Sequence, residues 1–216
     1  MFTFRARRSG HRTTPEVVAA VTLFLLSVLA AGAAAENPED EKGFYLGLKL
    51  MGSSLHADNT TDADEVLYIK DDGGGVQLDF GYRFNRTFML EFCVGGANHE
   101  TSDPAIDARF EVFQIFGYYR FSPERAFRPY LKGGFGGYGL YVEEGPVNWR
   151  IKGGGVALGG GFRYFFAPYF CMGLDFTHNI IQYDTAAMEV EGFSYEWAID
   201  EHGAMTSLGV TFGYSF

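Results

Sequence analysis

Three groups of residues in this sequence could do chemistry. His178 follows Asp175-Phe176-Thr177. An acid, an imidazole and a serine hydroxyl within hydrogen-bond reach would make a nucleophilic hydrolase, with the imidazole taking the hydroxyl proton and the acid orienting the imidazole. His56, His99, His178 and His202 form the second group; they carry donors of the type that hold Zn²⁺, but their spacing fixes no coordination geometry. The third is acidic. Asp58, Asp62, Asp64, Glu65, Asp71, Asp72, Glu143, Glu144, Glu189, Glu191, Asp200 and Glu201 crowd polar segments. Carboxylate-rich surfaces can hold Ca²⁺ or Mg²⁺, yet no spacing here matches a calcium loop. The expectation is no cofactor and no catalytic site.

The elements that must position these groups are strands. After Gly43 there is no further apolar run long enough for a spanning helix, whereas apolar and polar residues alternate with a period of two. Phe44, Leu46, Leu48 and Leu50 share one face. Val76, Leu78, Phe80, Tyr82 and Phe84 form another such row, and Phe88, Leu90, Phe92 and Val94 continue it after a turn at Asn85-Arg86, a hairpin pattern. Phe170, Met172, Leu174 and Phe176 repeat the pattern, as do Leu208, Val210, Phe212, Tyr214 and Phe216. A segment from about 110 to 121 carries aromatics on both faces; placing Phe113, Ile115, Tyr119 and Phe121 outward turns Arg120 inward. Glycine-rich segments at 130–142 and 151–165 complete eight strands.

The connections alternate in length. Residues 85–87, 122–128 and 166–168 are short, whereas 53–74, 97–108, 143–149 and 184–203 are mostly longer, polar and acidic. Membrane-spanning barrels show this asymmetry, with short periplasmic turns and longer external loops. Strands can cross a bilayer only as a closed sheet, because each backbone donor and acceptor there needs a partner. The fold class is therefore all-β: an eight-stranded antiparallel up-and-down transmembrane barrel over residues 43–216, with both ends in the periplasm. Glycine at 29 residues and aromatics at 17% suit walls of this kind. Cys93 and Cys171 are too isolated to be a disulfide framework.

The face opposite the apolar rows holds Lys49, Asp79, Arg83, Glu91, Arg120, Lys132, Arg163 and Asp175. Eight strands enclose an interior that side chains fill, and buried charges are costly unless paired. These eight residues are expected to form a charge network that blocks the lumen. The alternative is a narrow pore for small solutes, because Gly153–Gly155 and Gly159–Gly161 remove side-chain volume.

The first 35 residues differ in composition. Arg5, Arg7, Arg8 and Arg12 precede an apolar run from Val17 to Ala31, with small residues to Ala35. This is the order of a cleaved secretory signal peptide, and the run is shorter than the roughly 20 residues of a spanning helix. Residues 36–42 are then a short periplasmic segment. Losing four arginines and Glu16 moves the formal charge from −10 to −13. A nucleic-acid partner, which needs clustered bases, is not expected.

Val210-Thr211-Phe212-Gly213-Tyr214-Ser215-Phe216 resembles the carboxyl-terminal signal that the outer-membrane barrel assembly machinery recognises, with Val210, Phe212, Tyr214 and Phe216 carrying the match. Gly81-Tyr82-Arg83-Phe84, Gly117-Tyr118-Tyr119-Arg120-Phe121, Gly161-Phe162-Arg163-Tyr164-Phe165 and Arg128-Pro129-Tyr130-Leu131 resemble strand ends of the small barrels grouped with the OmpA transmembrane domain, OmpX and the opacity proteins. That resemblance implies the bacterial outer membrane, contact with its lipid and lipopolysaccharide, and a structural or interaction role such as adhesion or envelope integrity. Any surface ligand would be met by the loops. Lipid A deacylase barrels carry a serine two residues after their histidine. Here that position is Ile180, a departure that weakens this reading and leaves an outer-membrane lipid hydrolase as the lesser alternative, after the narrow pore.

Overall fold

Alternating apolar and polar residues leave a strand with one face suited to lipid and one to a polar interior. The computed structural model describes residues 42–57, 69–101, 106–190 and 193–216. Within them the chain forms β1 (Gly43–Ala57), β2 (Ile69–Arg83), β3 (Phe88–Thr101), β4 (Asp107–Arg120), β5 (Phe127–Glu144), β6 (Val147–Phe165), β7 (Phe170–Val190) and β8 (Phe193–Ser215). Each strand pairs antiparallel with its sequence neighbours, and β8 returns to β1, closing the barrel. The expected signal peptide and the segment following it lie outside the described residues, apart from Lys42.

Register keeps the two faces apart. Leu48 sits opposite Leu78 on one side and Phe212 on the other, and all three point outward. Phe44, Phe80, Phe135, Leu158, Ile180 and Leu208 are among the outward residues that remain more than half exposed, a belt of apolar surface around the wall. On β4, Phe113 and Tyr119 are exposed, as is Phe121 just after it, while Arg120 is buried within. The short end is built from compact turns. Asn85 Oδ1 accepts from the backbone N–H of Thr87 and of Phe88, both at 2.8 Å, and Arg86 bridges to Glu124 of the adjacent turn at 2.7 Å.

The other end differs from the sequence expectation. The expected loop at 143–149 is a two-residue turn between Glu144 and Val147, with Gly145 at a φ of 60° in its first central position, where hairpin turns favour glycine. The expected loop at 184–203 is mostly strand, since β7 runs to Val190 and β8 starts at Phe193. Strand also covers parts of 53–74 and 97–108. The reason is physical: beyond the membrane a strand needs no lipid-facing row, so acids such as Glu189, Glu196 and Asp200 stand on the outer face and the apolar row of Phe193, Tyr195 and Trp197 turns inward, while backbone pairing continues. With 19, 21 and 23 residues, β6, β7 and β8 far exceed the roughly 9–11 that a tilted strand needs to cross a bilayer. Register shifts at Lys152/Gly153 and Tyr183/Thr185 mark where this extension begins. Against β6, Asp184 is the extra residue on β7, and above it the inward parity of the strand changes from Ile181 and Tyr183 to Ala186.

Glycines on the two sides of the wall have different surroundings. A Cβ on Gly159, which faces inward, would lie 2.3 Å from the Phe176 carbonyl oxygen and 2.9 Å from Lys132 Cε; one on Gly137, which faces outward, would meet nothing within 4 Å. Gly159→Leu should therefore destabilise the barrel by about 1–3 kcal/mol, the usual penalty of overpacking, while Gly137→Leu leaves it near wild type. Equilibrium urea unfolding in lipid vesicles, read by heat-modifiable gel mobility, checks both; equal effects would contradict this account of the wall.

Candidate functional site

The lumen is filled in layers, each set by the inward residues of several strands. At the turn end, Arg120 Nη2 donates to the Asn85 carbonyl at 2.8 Å, and Arg83 Nη2 to the Phe216 carbonyl at 3.3 Å. Above them lie Tyr45, Tyr118 and Tyr130, with the Arg163 guanidinium 3.9 Å from the Tyr45 ring centroid and 5.2 and 5.4 Å from the other two.

The central layer is ionic. Asp175 accepts from Lys49 Nζ at 3.1 Å, Lys132 Nζ at 2.8 Å, Tyr130 Oη at 2.7 Å and Thr177 Oγ1 at 3.0 Å. Glu91 accepts from Arg163 Nη2 at 2.7 Å and from the Tyr118 hydroxyl. Asp79 accepts from Gln77 Nε2 at 2.6 Å. Lys132 Nζ also lies 4.4 Å from the Phe116 ring centroid, a cation over an aromatic face. Three cations and three anions, all nearly without solvent exposure, cancel in formal charge.

Of the eight charges singled out from the sequence, the structure brings six into this layer: Lys49, Asp79, Glu91, Lys132, Arg163 and Asp175. Arg83 and Arg120 sit apart from it. They occupy inward positions at the last residues of β2 and β4, so their guanidinium groups reach the backbone carbonyls near the turns.

Two further layers were not legible as such. Gln114 Nε2 donates to Asn179 Oδ1 at 2.6 Å and Tyr138 Oη at 3.0 Å, and Asn179 Nδ2 donates to the Met205 carbonyl at 3.0 Å. Beyond this amide layer Phe110, Ile181 and Met205 are buried, with Leu55, Leu140, Val142 and Tyr183 around them. The one signal in the sequence was the aromatic content of both faces of β4, which places Phe110 and Phe116 inside.

The hydrolase and zinc groupings are separated by the wall. Asp175 points inward and is fully engaged, whereas His178 lies on the outward face, where Nδ1 is 2.9 Å from Thr206 Oγ1. His99 is buried inside, 3.2 Å from Ser53 Oγ, and His202 is exposed. The His56 side chain lies outside those described. Among the described residues Asp79, Glu91 and Cys93 have ligand atoms within 4.8 Å of one another. Arg163, Tyr118 and Gln77 already bond the two carboxylates, and Cys93 Sγ lies 3.6 Å from Glu91 Oε1.

The last strand carries Val210, Phe212 and Tyr214 on its outward side, and Phe216 follows its last residue. Phe212 is exposed, while Tyr214 is covered by Tyr169, Phe170 and Phe216, its ring centroid 4.9 Å from that of Phe170 and 4.8 Å from that of Phe216.

The sequence profile of the outer membrane protein beta-barrel domain matches residues 21–216. The chain belongs to this family. Its place is thus the bacterial outer membrane, crossed by eight strands. No curated protein matches by sequence. Among solved structures, Neisserial surface protein A is similar, with 16% identity, a TM-score of 0.54, and 80% of this chain and 98% of that one covered. The outer membrane protein OprG from Pseudomonas aeruginosa is also similar, with 14% identity, a TM-score of 0.58, and coverage of 82% and 96%. At these identities the likeness concerns the barrel fold.

In this member of the outer membrane protein beta-barrel domain family, Asp175 is the shared partner of two buried lysines. Removing one member of a buried ion cluster leaves charge uncompensated and costs about 3–5 kcal/mol. Asp175→Asn should lower unfolding stability by that amount in lipid vesicles, followed by Trp149 and Trp197 fluorescence in urea. The triple replacement Lys49→Met, Lys132→Met, Asp175→Leu should recover most of the loss. No recovery would mean that packing, not charge balance, dominates the layer.

Proposed function

We propose that the protein is a sealed barrel that anchors an extracellular interaction surface on the extension of β6, β7 and β8. One observation carries this reading: above the register shifts, the inward face of the extension, whose β6 edge is paired with β5 through Val142 opposite Trp149, is apolar and aromatic yet open to solvent. Trp149, Met188, Tyr195 and Trp197 lie in adjoining rows, with the Trp149 and Trp197 rings edge to face at 6.2 Å. Phe193 is 70% exposed, Tyr195 57% and Trp197 42%. Contiguous exposed aromatic surface on a protein marks a contact site, and Tyr and Trp dominate the energetics of such contacts. The other side of the sheet carries Glu189, Glu196 and Asp200, which keep it solvated. Adhesion to a neighbouring cell or surface fits this arrangement better than transport does.

The layered lumen supports the sealed half of the reading. Where inward glycines remove bulk, neighbours take the space: Tyr130 Oη lies 2.8 Å from where a Gly161 Cβ would be, and Lys132 Cε 2.9 Å from where a Gly159 Cβ would be. Delivery follows the family route in our reading, with the leader removed before Glu36 and the assembly machinery engaging Val210, Phe212, Tyr214 and Phe216.

Replacing Phe193, Tyr195 and Trp197 together by serine should abolish surface binding to host or neighbouring cells while surface display stays intact; undiminished binding would overturn the contact role of this face. In planar bilayers the wild-type chain should give no discrete conductance steps. Cutting Glu91, Lys132 and Arg163 back to alanine should produce them. Steps from the wild type would replace the sealed barrel with the narrow pore.

A further inference from the structure

The turn end of the lumen carries a charge imbalance that the central layer does not share. Three inward arginines meet there, Arg83 at the end of β2, Arg120 at the end of β4 and Arg128 near the start of β5. Arg163 of the central layer stands opposite Arg128 in register, and Arg120 feels the repulsion of the other three. The inward residues nearest this end on the remaining strands are Gly43, Met89, Cys171 and Ser215, none of them charged.

Anions are scarce at this end. Among the described residues they are Glu124, held outside the mouth by Arg86 at 2.7 Å, and the carboxyl end of Phe216, which accepts from Arg83 at 3.3 Å. Arg125 and Lys42 on the rim are exposed cations. Arg120 shows the consequence: it is 5% exposed, donates through Nη2 to the Asn85 carbonyl, and keeps a buried Nε with no hydrogen-bond partner. A buried cation is costly unless an anion is supplied.

The nearest supply in the chain lies just before β1, where Glu39, Asp40 and Glu41 precede Lys42. The first residue of β1 already reaches the arginines. Gly43 stands opposite Arg83, and a Cβ there would lie 2.6 Å from Arg83 Nη2. At roughly 3.3–3.6 Å per extended residue, Glu41 and Glu39 are tethered within about 7 and 14 Å of Gly43.

We propose that residues 37–42 cross the periplasmic mouth of the barrel and set the carboxylates of Glu39, Asp40 and Glu41 against Arg83, Arg120 and Arg128. The arginine layer is then an anion site whose resident ligand is the chain's own acidic segment. Guanidinium suits that ligand, since its fork of donors meets carboxylate oxygens two at a time. The cap closes the lumen a second time, below the ionic layer. It also fastens the start of β1 beside the seam where the Phe216 N–H bonds the Phe44 carbonyl. None of this depends on the contact surface of the β6 to β8 extension.

The test uses the chain from Glu36 to Phe216 refolded in detergent micelles, with inorganic tripolyphosphate as the competing anion and isothermal titration calorimetry as the readout. Glu39→Gln, Asp40→Asn and Glu41→Gln together should vacate the site. Tripolyphosphate should then bind at least about tenfold more tightly than to the wild type, the worth of one freed charge-assisted contact. Adding Arg120→Gln and Arg128→Gln should remove that gain. Taking three charges from the far end, by Glu189→Gln, Glu196→Gln and Asp200→Asn, should leave binding as in the wild type, because charges beyond a Debye length of about 8–10 Å are screened. Heat-modifiable mobility confirms that each variant is folded, and Glu41→Gln alone replaces the triple variant if that does not fold. Equal binding by the wild type and the segment variant, binding by neither, a gain that survives loss of the two arginines, or an equal gain in the far-end control would each overturn the proposal.

Discussion

A backbone crossing hydrocarbon must pair each N–H and C=O within the protein, since no water is there to do it. In this chain that demand is met by the return of β8 to β1, in a register that runs from Tyr45 opposite Ser215 to Ala57 opposite Gly203. The Phe216 N–H adds a bond of 2.8 Å to the Phe44 carbonyl. Closure has a further consequence: it creates an inside. The residues alternating with the lipid-facing rows are forced into a space only as wide as eight strands allow, and their chemistry must be solved there.

The solution is charge balance inside a shell of aromatic rings. Asp175 alone could not hold Lys49 and Lys132 without the hydroxyls of Tyr130 and Thr177 completing its oxygen lone pairs, and Glu91 holds Arg163 against the Tyr45 ring in a comparable way. Such a cluster contributes more to which arrangement the strands adopt than to net stability, because burying its members costs much of what their attraction returns. On the proposed reading, a lumen occupied by interlocked side chains leaves the outer surface and the extracellular strands as the places where partners can be met.

The barrel, the strand number and the facing of the charged residues were legible because a membrane wall imposes a strict two-residue contrast between lipid and lumen. Phe113 and Tyr119 could be placed outward, and Arg120 inward, on that contrast alone. It fails where the constraint lapses. Beyond the bilayer, Glu189, Glu196 and Asp200 read as loop residues although they stand on paired strands, and the bulge at Asp184 shifts the parity that a sequence reading would carry forward. Arg83 and Arg120 were grouped with the central charges because facing is visible in the sequence while height along the barrel is not. The apolar layer of Phe110, Ile181 and Met205 was hidden for a related reason: those residues are adjacent only through strands far apart in the chain.

Glycine shows how one residue type carries two meanings in such a wall. On the inner side its missing side chain is space already used by a neighbour, as Lys132 and Tyr130 use the space at Gly159 and Gly161. On the outer side at Gly137 the same absence stays open, because the adjacent molecule there is lipid, which the chain itself does not supply. A run of glycines in the sequence therefore says nothing by itself about a pore. What decides is whether the residue across the strand pair is long enough to fill the gap, and the inward positions of this barrel provide lysine, tyrosine and glutamine for that purpose. Outward positions do so unevenly: Tyr141 covers Gly139 and Leu131 approaches Gly160, whereas no side chain reaches over Gly137.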